Sequence, residues 1–286
     1  MTPYVTGKLV QSSDIISIKY ISAKLQNMTK RHISTQMIPE RDEPALYINP
    51  RSEQIAAFAE QAVTVEDQPK VRLLADSDEI KNALYSFLTA SKLAELIHRD
   101  QLSLRTLTEP VQNTIFTTES EAVVPVMDKH SISSSDPELV SSVCSEFDSR
   151  FEAAEQYHLR TPALSVVKQT LQEELGDDIA AELDEVLAHA EEIANSNEYL
   201  SIVEIMLILA ARNEVLLYDV SKWGEDTGIA SKATFSRAKS ALEDASLIET
   251  EKVPPDIGRP RLRLIATDEL ATANLKTLST EIQSLL

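Results

Sequence analysis

The side chains that carry most protein chemistry are few in this sequence and poorly spaced for it. The five histidines, His32, His98, His130, His158 and His189, are scattered with no pair at metal-ligand spacing. Each reads as a surface or boundary residue, and no metal site is expected. Cys144 is the single cysteine, which excludes an intrachain disulfide framework and a Cys-rich zinc site. It reads as a small buried or boundary residue rather than a nucleophile. No glycine falls between Gly7 and Gly176, so the turns of a dinucleotide or P-loop phosphate site cannot be built there. Acidic pairs such as Asp177-Asp178 are a solvated face in so acidic a chain. No catalytic residue and no cofactor is expected.

A different chemistry gathers near the C-terminal end. Ser231, Lys232, Thr234, Ser236 and Arg237 place short hydroxyls and long cations within seven residues, and Arg259 and Arg261 follow. Cations suit guanine O6 and N7, and hydroxyls reach several bases or phosphates. A helix N-terminus adds a preference for phosphate. This set points to double-stranded DNA. The chain carries 46 acidic and 27 basic residues, a formal net charge of -19, yet residues 228–264 hold seven basic and five acidic ones. An acidic protein must keep carboxylates off DNA, and this stretch does so. Residues 1–38 form a second basic island, with five basic residues against Asp14 alone.

The elements that would position these groups read as a winged helix-turn-helix. Ser201 to Arg212 is an almost continuous apolar helix. Leu216 to Asp226 is a second, with Val220 and Trp223 inward. Gly224 lets two helices cross closely and Gly228 makes the turn. Ser231 or a neighbour caps a third helix whose inner stripe is Phe235, Ala238, Leu242 and Ala245. The outer face of that helix is the expected major-groove reader, residues 231–245. Leu247 to Lys252 and Arg261 to Ile265 are strands flanking VPPDIGRP, so residues 253–261 form a wing. Arg259 at its tip reaches a phosphate or the minor groove.

Upstream, strand and helix patterns alternate. Ala45 to Asn49, Val71 to Ala75, Leu102 to Leu107, Asn113 to Thr118 and Glu121 to Met127 read as strands, the last two as a hairpin. Ser52 to Val63 and Ser77 to Arg99 read as helices. Asp136-Pro137-Glu138 starts another, with Leu139, Val143, Phe147 and Phe151 as its stripe. The expected fold is an α/β N-terminal domain, a small open sheet with helices and a parallel component, joined to an α+β winged helix. Asn49 and Asp76 follow the first two strands. They either cap the next helices or lie where open α/β sheets bind ligands. A small-molecule effector is therefore admitted, without a located pocket.

The expected organisation is four segments. Residues 1–38 are a disordered leader, a basic arm on nucleic acid, or translated upstream sequence with the true start at Met28 or Met37. Residues 39–160 are an α/β sensory or partner-binding domain, 161–197 a helical connector, and 198–286 the winged helix with a C-terminal helix. The absence of a signal-like segment or a long apolar run implies a cytoplasmic protein with no membrane contact. The net charge of -19 suits a cytoplasm of very high salt, where screening is short-ranged. A homodimer on two half-sites is expected, held by residues 163–194 or by the tail with Leu270, Leu278 and Ile282.

The run LYDVSKWGEDTGIASKATFSRAKSALEDASLIETEKVPPDIGRPRLRL, Leu217 to Leu264, closely resembles the C-terminal part of the haloarchaeal TbsP-type transcriptional regulators. VRLLAD and LSLRTL resemble that family's N-terminal domain; residues 1–38 do not match. The resemblance implies a transcription factor of a salt-loving archaeon, acting on gluconeogenic and glycolytic genes and linked to a TrmB-type regulator. Two functions stand side by side: a DNA-binding regulator, and a protein-interaction adaptor whose winged helix docks another regulator. An α/β enzyme with an appended winged helix is the least favoured.

Overall fold

The computed structural model describes residues 44–65, 69–127, 130–193, 201–254 and 260–275. These fall into two compact units, one of residues up to Asn82 with Ser103–Gln156, the other of Ala83–Leu102 with residues from Tyr157 on.

The first unit is a mixed α/β layer. Strands β1 (Ala45–Ile48), β2 (Val71–Ala75), β3 (Leu102–Thr106), β4 (Ile115–Thr117), β5 (Ala122–Met127), β6 (His130–Ser134) and β7 (Glu155–Gln156) form one sheet in the order β6-β5-β4-β1-β2-β3-β7. β1 and β2 run parallel, joined by helix α1 (Ser52–Ala62), while β1-β4, β4-β5, β5-β6 and β3-β7 are antiparallel. Full burial of all four β1 residues is what an apolar run in a central strand requires. Tyr47 is packed edge-on against Phe58 and Phe116, and burial pushes its hydroxyl pKa far up. The sheet has two more strands than the pattern suggests: β6 is the polar run HSISS and β7 is two residues long, so neither carries an apolar signal.

Three sequence expectations need correction here. Ser77–Arg99 is not one helix but two, α2 (Ser77–Ala83) and α3 (Phe87–His98). Ser86 breaks them by accepting from the Thr89 amide as the N-cap of α3, which supplies a helix start that continuous apolar spacing hides. Helix α4 (Pro137–Ala153) does begin at Asp136, whose carboxylate accepts from the Leu139 amide at 2.9 Å. Its buried stripe, however, is Val140, Phe147 and Phe151, with Leu139 49% exposed. Val140 takes the place of Leu139, while Val143, partly buried, still packs against the cluster that holds Phe147 and Phe151. Asn49 does not cap α1. It sits at φ +50° and donates through its amide to Val111 O at 2.6 Å. Asp76 does take the capping role, accepting from the Asp78 amide at 2.8 Å.

The second unit is built around one core. It contains α3, α5 (Leu164–Leu175), α6 (Asp177–Ile193), α7 (Ile202–Arg212), α8 (Leu217–Asp226), α9 (Lys232–Asp244), the hairpin β8 (Ile248–Val253) and β9 (Arg261–Ala266), and α10 (Asp268–Thr272). Val167, Leu171, Ile179 and Leu183 of α5 and α6 are buried in the same cluster as Met206, Trp223, Phe235, Leu242 and Leu264. α7 is buried on nearly every face, as a helix apolar all round must be. Helix α3 joins through Phe87 and Leu88, which pack against this core, and through polar groups. Glu95, 4% exposed, accepts from the Ser165 amide at 2.9 Å and hydroxyl at 2.6 Å, and from Arg99 Nε at 2.9 Å. It thereby caps α5, whose own N-cap residue is Ala163. Burial raises the Glu95 carboxyl pKa, but the Ser165 and Arg99 hydrogen bonds outweigh it and leave the group below its ordinary value. Leu270 is 3% exposed and belongs to this core, so it is not part of an available tail surface; Leu278 and Ile282 lie outside the described residues. Among the described residues no helix is long and apolar enough to cross a membrane.

Candidate nucleic-acid interface

Three local features set the angle between α8 and α9. Gly228 adopts φ +82°, a left-handed backbone that glycine takes without strain. The Ile229 and Ala230 amides both donate to Gly224 O, at 2.9 and 3.1 Å, tying the turn back onto α8. Gly224 itself faces the buried Phe235 ring so closely that a Cβ there would lie 2.3 Å from it. The turn is therefore read correctly from the sequence: a small residue, a glycine, and a bulky residue on the next helix.

Ser231 starts α9. Its hydroxyl accepts from the Thr234 amide at 3.3 Å and lies 3.0 Å from the Thr234 hydroxyl. With Phe235 and Leu242 buried, the helical period turns Lys232, Ser236, Arg237 and Ser240 outward, and all four are exposed. Thr234 is half-buried. Arg237 reaches back to it, Nη2 donating to Thr234 Oγ1 at 3.4 Å. Ser231, Lys232, Thr234, Ser236 and Arg237 thus share the first turns of one helix.

The hairpin follows directly. β8 and β9 pair antiparallel from Ile248–Ala266 to Val253–Arg261. Leu216 bridges to Arg263, and the Leu264 amide donates to Val215 O at 3.0 Å, tying the hairpin to the start of α8. Leu264 is buried and Arg261 exposed. Arg259 lies outside the described residues, so the expectation placed on it concerns a part of the wing that the structure does not describe.

Folding brings acidic and aromatic groups to this face that linear reading missed. Lys232 Nζ stands 3.0 Å from Glu225 of α8, and Arg261 is 3.8 Å from Asp219. The hydrogen bond between the two side chains lowers the Glu225 carboxyl pKa and raises that of the Lys232 ammonium. Lys239 pairs with Glu243 at 2.6 Å, and Arg263 lies 3.9 Å from both Glu214 and Glu251. Among the described residues, Arg237 is the cation of α9 with no carboxylate partner. Tyr218 stands between α9 and the hairpin: Lys232 Nζ is 5.7 Å and Arg261 Cζ 4.8 Å from its ring centroid. Such cation–π contacts contribute about 0.5–1 kcal/mol at exposed sites. Tyr218 could have been found as the large aromatic lying off the Val220–Trp223 stripe. Asp219 and Glu225 gave no signal, because their partners come from other elements.

This arrangement is a capped, exposed helix of hydroxyls and cations beside a two-stranded hairpin. It can lie in a groove about 12 Å wide with the hairpin on the flanking backbone. A family model described as the transcriptional regulator TbsP-like N-terminal region matches residues 22–162, and one described as its C-terminal HTH domain matches residues 163–283, so the family match takes in residues 22–38, which the sequence reading set outside the resemblance. Among solved structures, the archaeal chromatin protein TrmBL2, described as showing a novel mode of DNA binding, is similar at 14% identity and a TM-score of 0.36. The match covers 51% of this chain and 64% of that one. No curated protein matches the chain. With both family models matched in order along one chain, this protein belongs to the TbsP-like transcriptional regulators.

Proposed function

We propose that the chain is a sequence-specific DNA-binding regulator of sugar-metabolism genes. It reads the major groove with residues 231–245 and flanks the DNA with the wing, residues 253–261. The observation that carries this reading is the exposed, acid-free first half of α9, where Ser231, Lys232, Ser236 and Arg237 face outward together. Arg261, and Arg259 beyond the described part of the wing, supply backbone contacts. The protein works in the cytoplasm as a homodimer on two half-sites, without a membrane and without catalysis. Residues 39–160 sense a small-molecule effector or bind a TrmB-type regulator, and residues 161–197 connect that domain to the winged helix, residues 198–286. The sugar-metabolism role and the TrmB link rest on the family resemblance.

A second reading is favoured by one observation: Lys232 and Arg261 are already paired with Glu225 and Asp219. In that reading the winged helix is an adaptor docking another regulator. Recovery of promoter fragments at high KCl separates the two. Wild type is expected to enrich specific fragments and the Arg237→Ala, Arg259→Ala double variant to lose them. Failure of both to recover DNA, while a partner regulator co-purifies with each, overturns the DNA-reading proposal.

A further inference from the structure

The two ion pairs on the DNA-facing surface are arranged around one point. Tyr218 is 46% exposed, and its ring has Lys232 on one approach and Arg261 on another. Each of these cations has its carboxylate on α8, Glu225 at 3.0 Å and Asp219 at 3.8 Å. Arg237, on the same exposed helix face, has no carboxylate within ion-pair distance among the described residues. The interface therefore holds two kinds of cation, one kind supplied with an internal anion and one kind not.

We propose that Glu225 and Asp219 are built-in counter-ions of the DNA interface, whose places beside Lys232 and Arg261 are taken by backbone phosphates when DNA binds. This rests on the DNA-reading function above and adds to it a stated salt response. A free cation that neutralises a phosphate releases the counterion condensed there, and each such contact steepens the log-affinity against log-salt line by about 0.9. A cation that must first leave a carboxylate behaves otherwise. The freed carboxylate takes up a cation from solution while the phosphate gives one up, so the net release is close to zero. Lys232 and Arg261 then hold phosphate while adding little salt sensitivity, and Arg237 contributes the full increment.

The consequence suits a protein of net charge -19. Its DNA contacts lose less affinity as salt rises than their number alone would dictate. At low salt, Asp219 and Glu225 compete with phosphate for the cations. At high salt the exposed pairs are screened and the competition fades.

The test is fluorescence anisotropy of the full chain on its enriched promoter fragment over a KCl series. Wild type is compared with the Asp219→Asn, Glu225→Gln double variant, with Lys232→Ala, and with Lys232→Ala in the Glu225→Gln background. The double variant is expected to bind more tightly at low salt, with a slope steeper by about 1.8, and its line is expected to meet the wild-type line at high salt. Lys232→Ala is expected to leave the slope nearly unchanged in wild type but to flatten it by about 0.9 in the Glu225→Gln background. That asymmetry separates a local exchange from a general change in net charge, which would give the same Lys232→Ala effect in both backgrounds. Parallel lines for wild type and double variant, with specific binding intact, overturn the counter-ion role alone. Absence of wild-type binding at every salt concentration overturns the DNA-reading function and this inference with it.

Discussion

Gly224 and Phe235 show how much one missing side chain can decide. An alanine Cβ at 224 would sit 2.3 Å from a ring atom of Phe235, which is fully buried and cannot swing away. Gly224→Ala should therefore destabilise the protein by about 1–3 kcal/mol, read as a shift of the thermal midpoint. The Phe235→Leu background should reduce that penalty, because the clashing ring is gone. Glu95 carries a second prediction at this scale. Its carboxyl pKa is lowered in the folded state, so its stabilisation is present above the unfolded value of about 4.3. It is lost as pH falls through the lower folded value. Glu95→Ala should cost about 1–3 kcal/mol near neutral pH, because the Ser165 amide loses its buried acceptor. The difference from wild type should shrink below pH 4 in chemical denaturation.

Among the elements, α9 depends on its first turn. Ser231 satisfies the Thr234 amide, and Ser231→Ala should remove about 1 kcal/mol of stability. It should weaken DNA binding by more than that loss implies, because the cap also orders Thr234 against Arg237. A Ser231→Asp variant separates the two effects. It restores the cap and the stability, while its added carboxylate repels phosphate. The winged helix was legible in the sequence because its signals are local: a bulky-small pair, a turn glycine, a hydroxyl cap and an alternating Leu-Arg strand. The α/β unit was legible where strands are apolar or alternate apolar with polar residues, as in β1 to β5. β6 escaped because an exposed edge strand has no apolar alternation, and the break between α2 and α3 escaped because Ser86 sits inside an otherwise apolar helical pattern. At the candidate interface the cations were visible and their partners were not. Glu225 and Asp219 meet Lys232 and Arg261 only through tertiary packing of α8 against α9 and β9.

At the scale of the whole molecule, the pair α5–α6 is part of the winged-helix core. The Trp223 indole donates from Nε1 to Thr170 Oγ1 at 3.1 Å, and Arg212 reaches Glu182 at 3.2 Å. A fragment starting at residue 201 strips the partners from Met206, Trp223 and their neighbours. It should melt at lower temperature than one starting at residue 157, and should bind the dye ANS through the uncovered apolar surface. Equal melting points would show that α5 and α6 only link the halves.

Helix α3 has a consequence of another kind. The chain passes from one unit to the other at residues 82–83, returns at 102–103 and crosses again at 156–157, whereas the two family models meet at residues 162–163. The carboxylate that caps α5 is thus translated about 70 residues before the serine it holds. During synthesis this helix must wait, its partner unmade, while the rest of the sheet is still emerging. The same layout resists shuffling by recombination: a crossover at residue 162 would carry the winged helix into a new chain without the helix that closes its core. In this chain the stretch matched by the C-terminal family model and the stretch that packs as one unit are two different pieces of sequence.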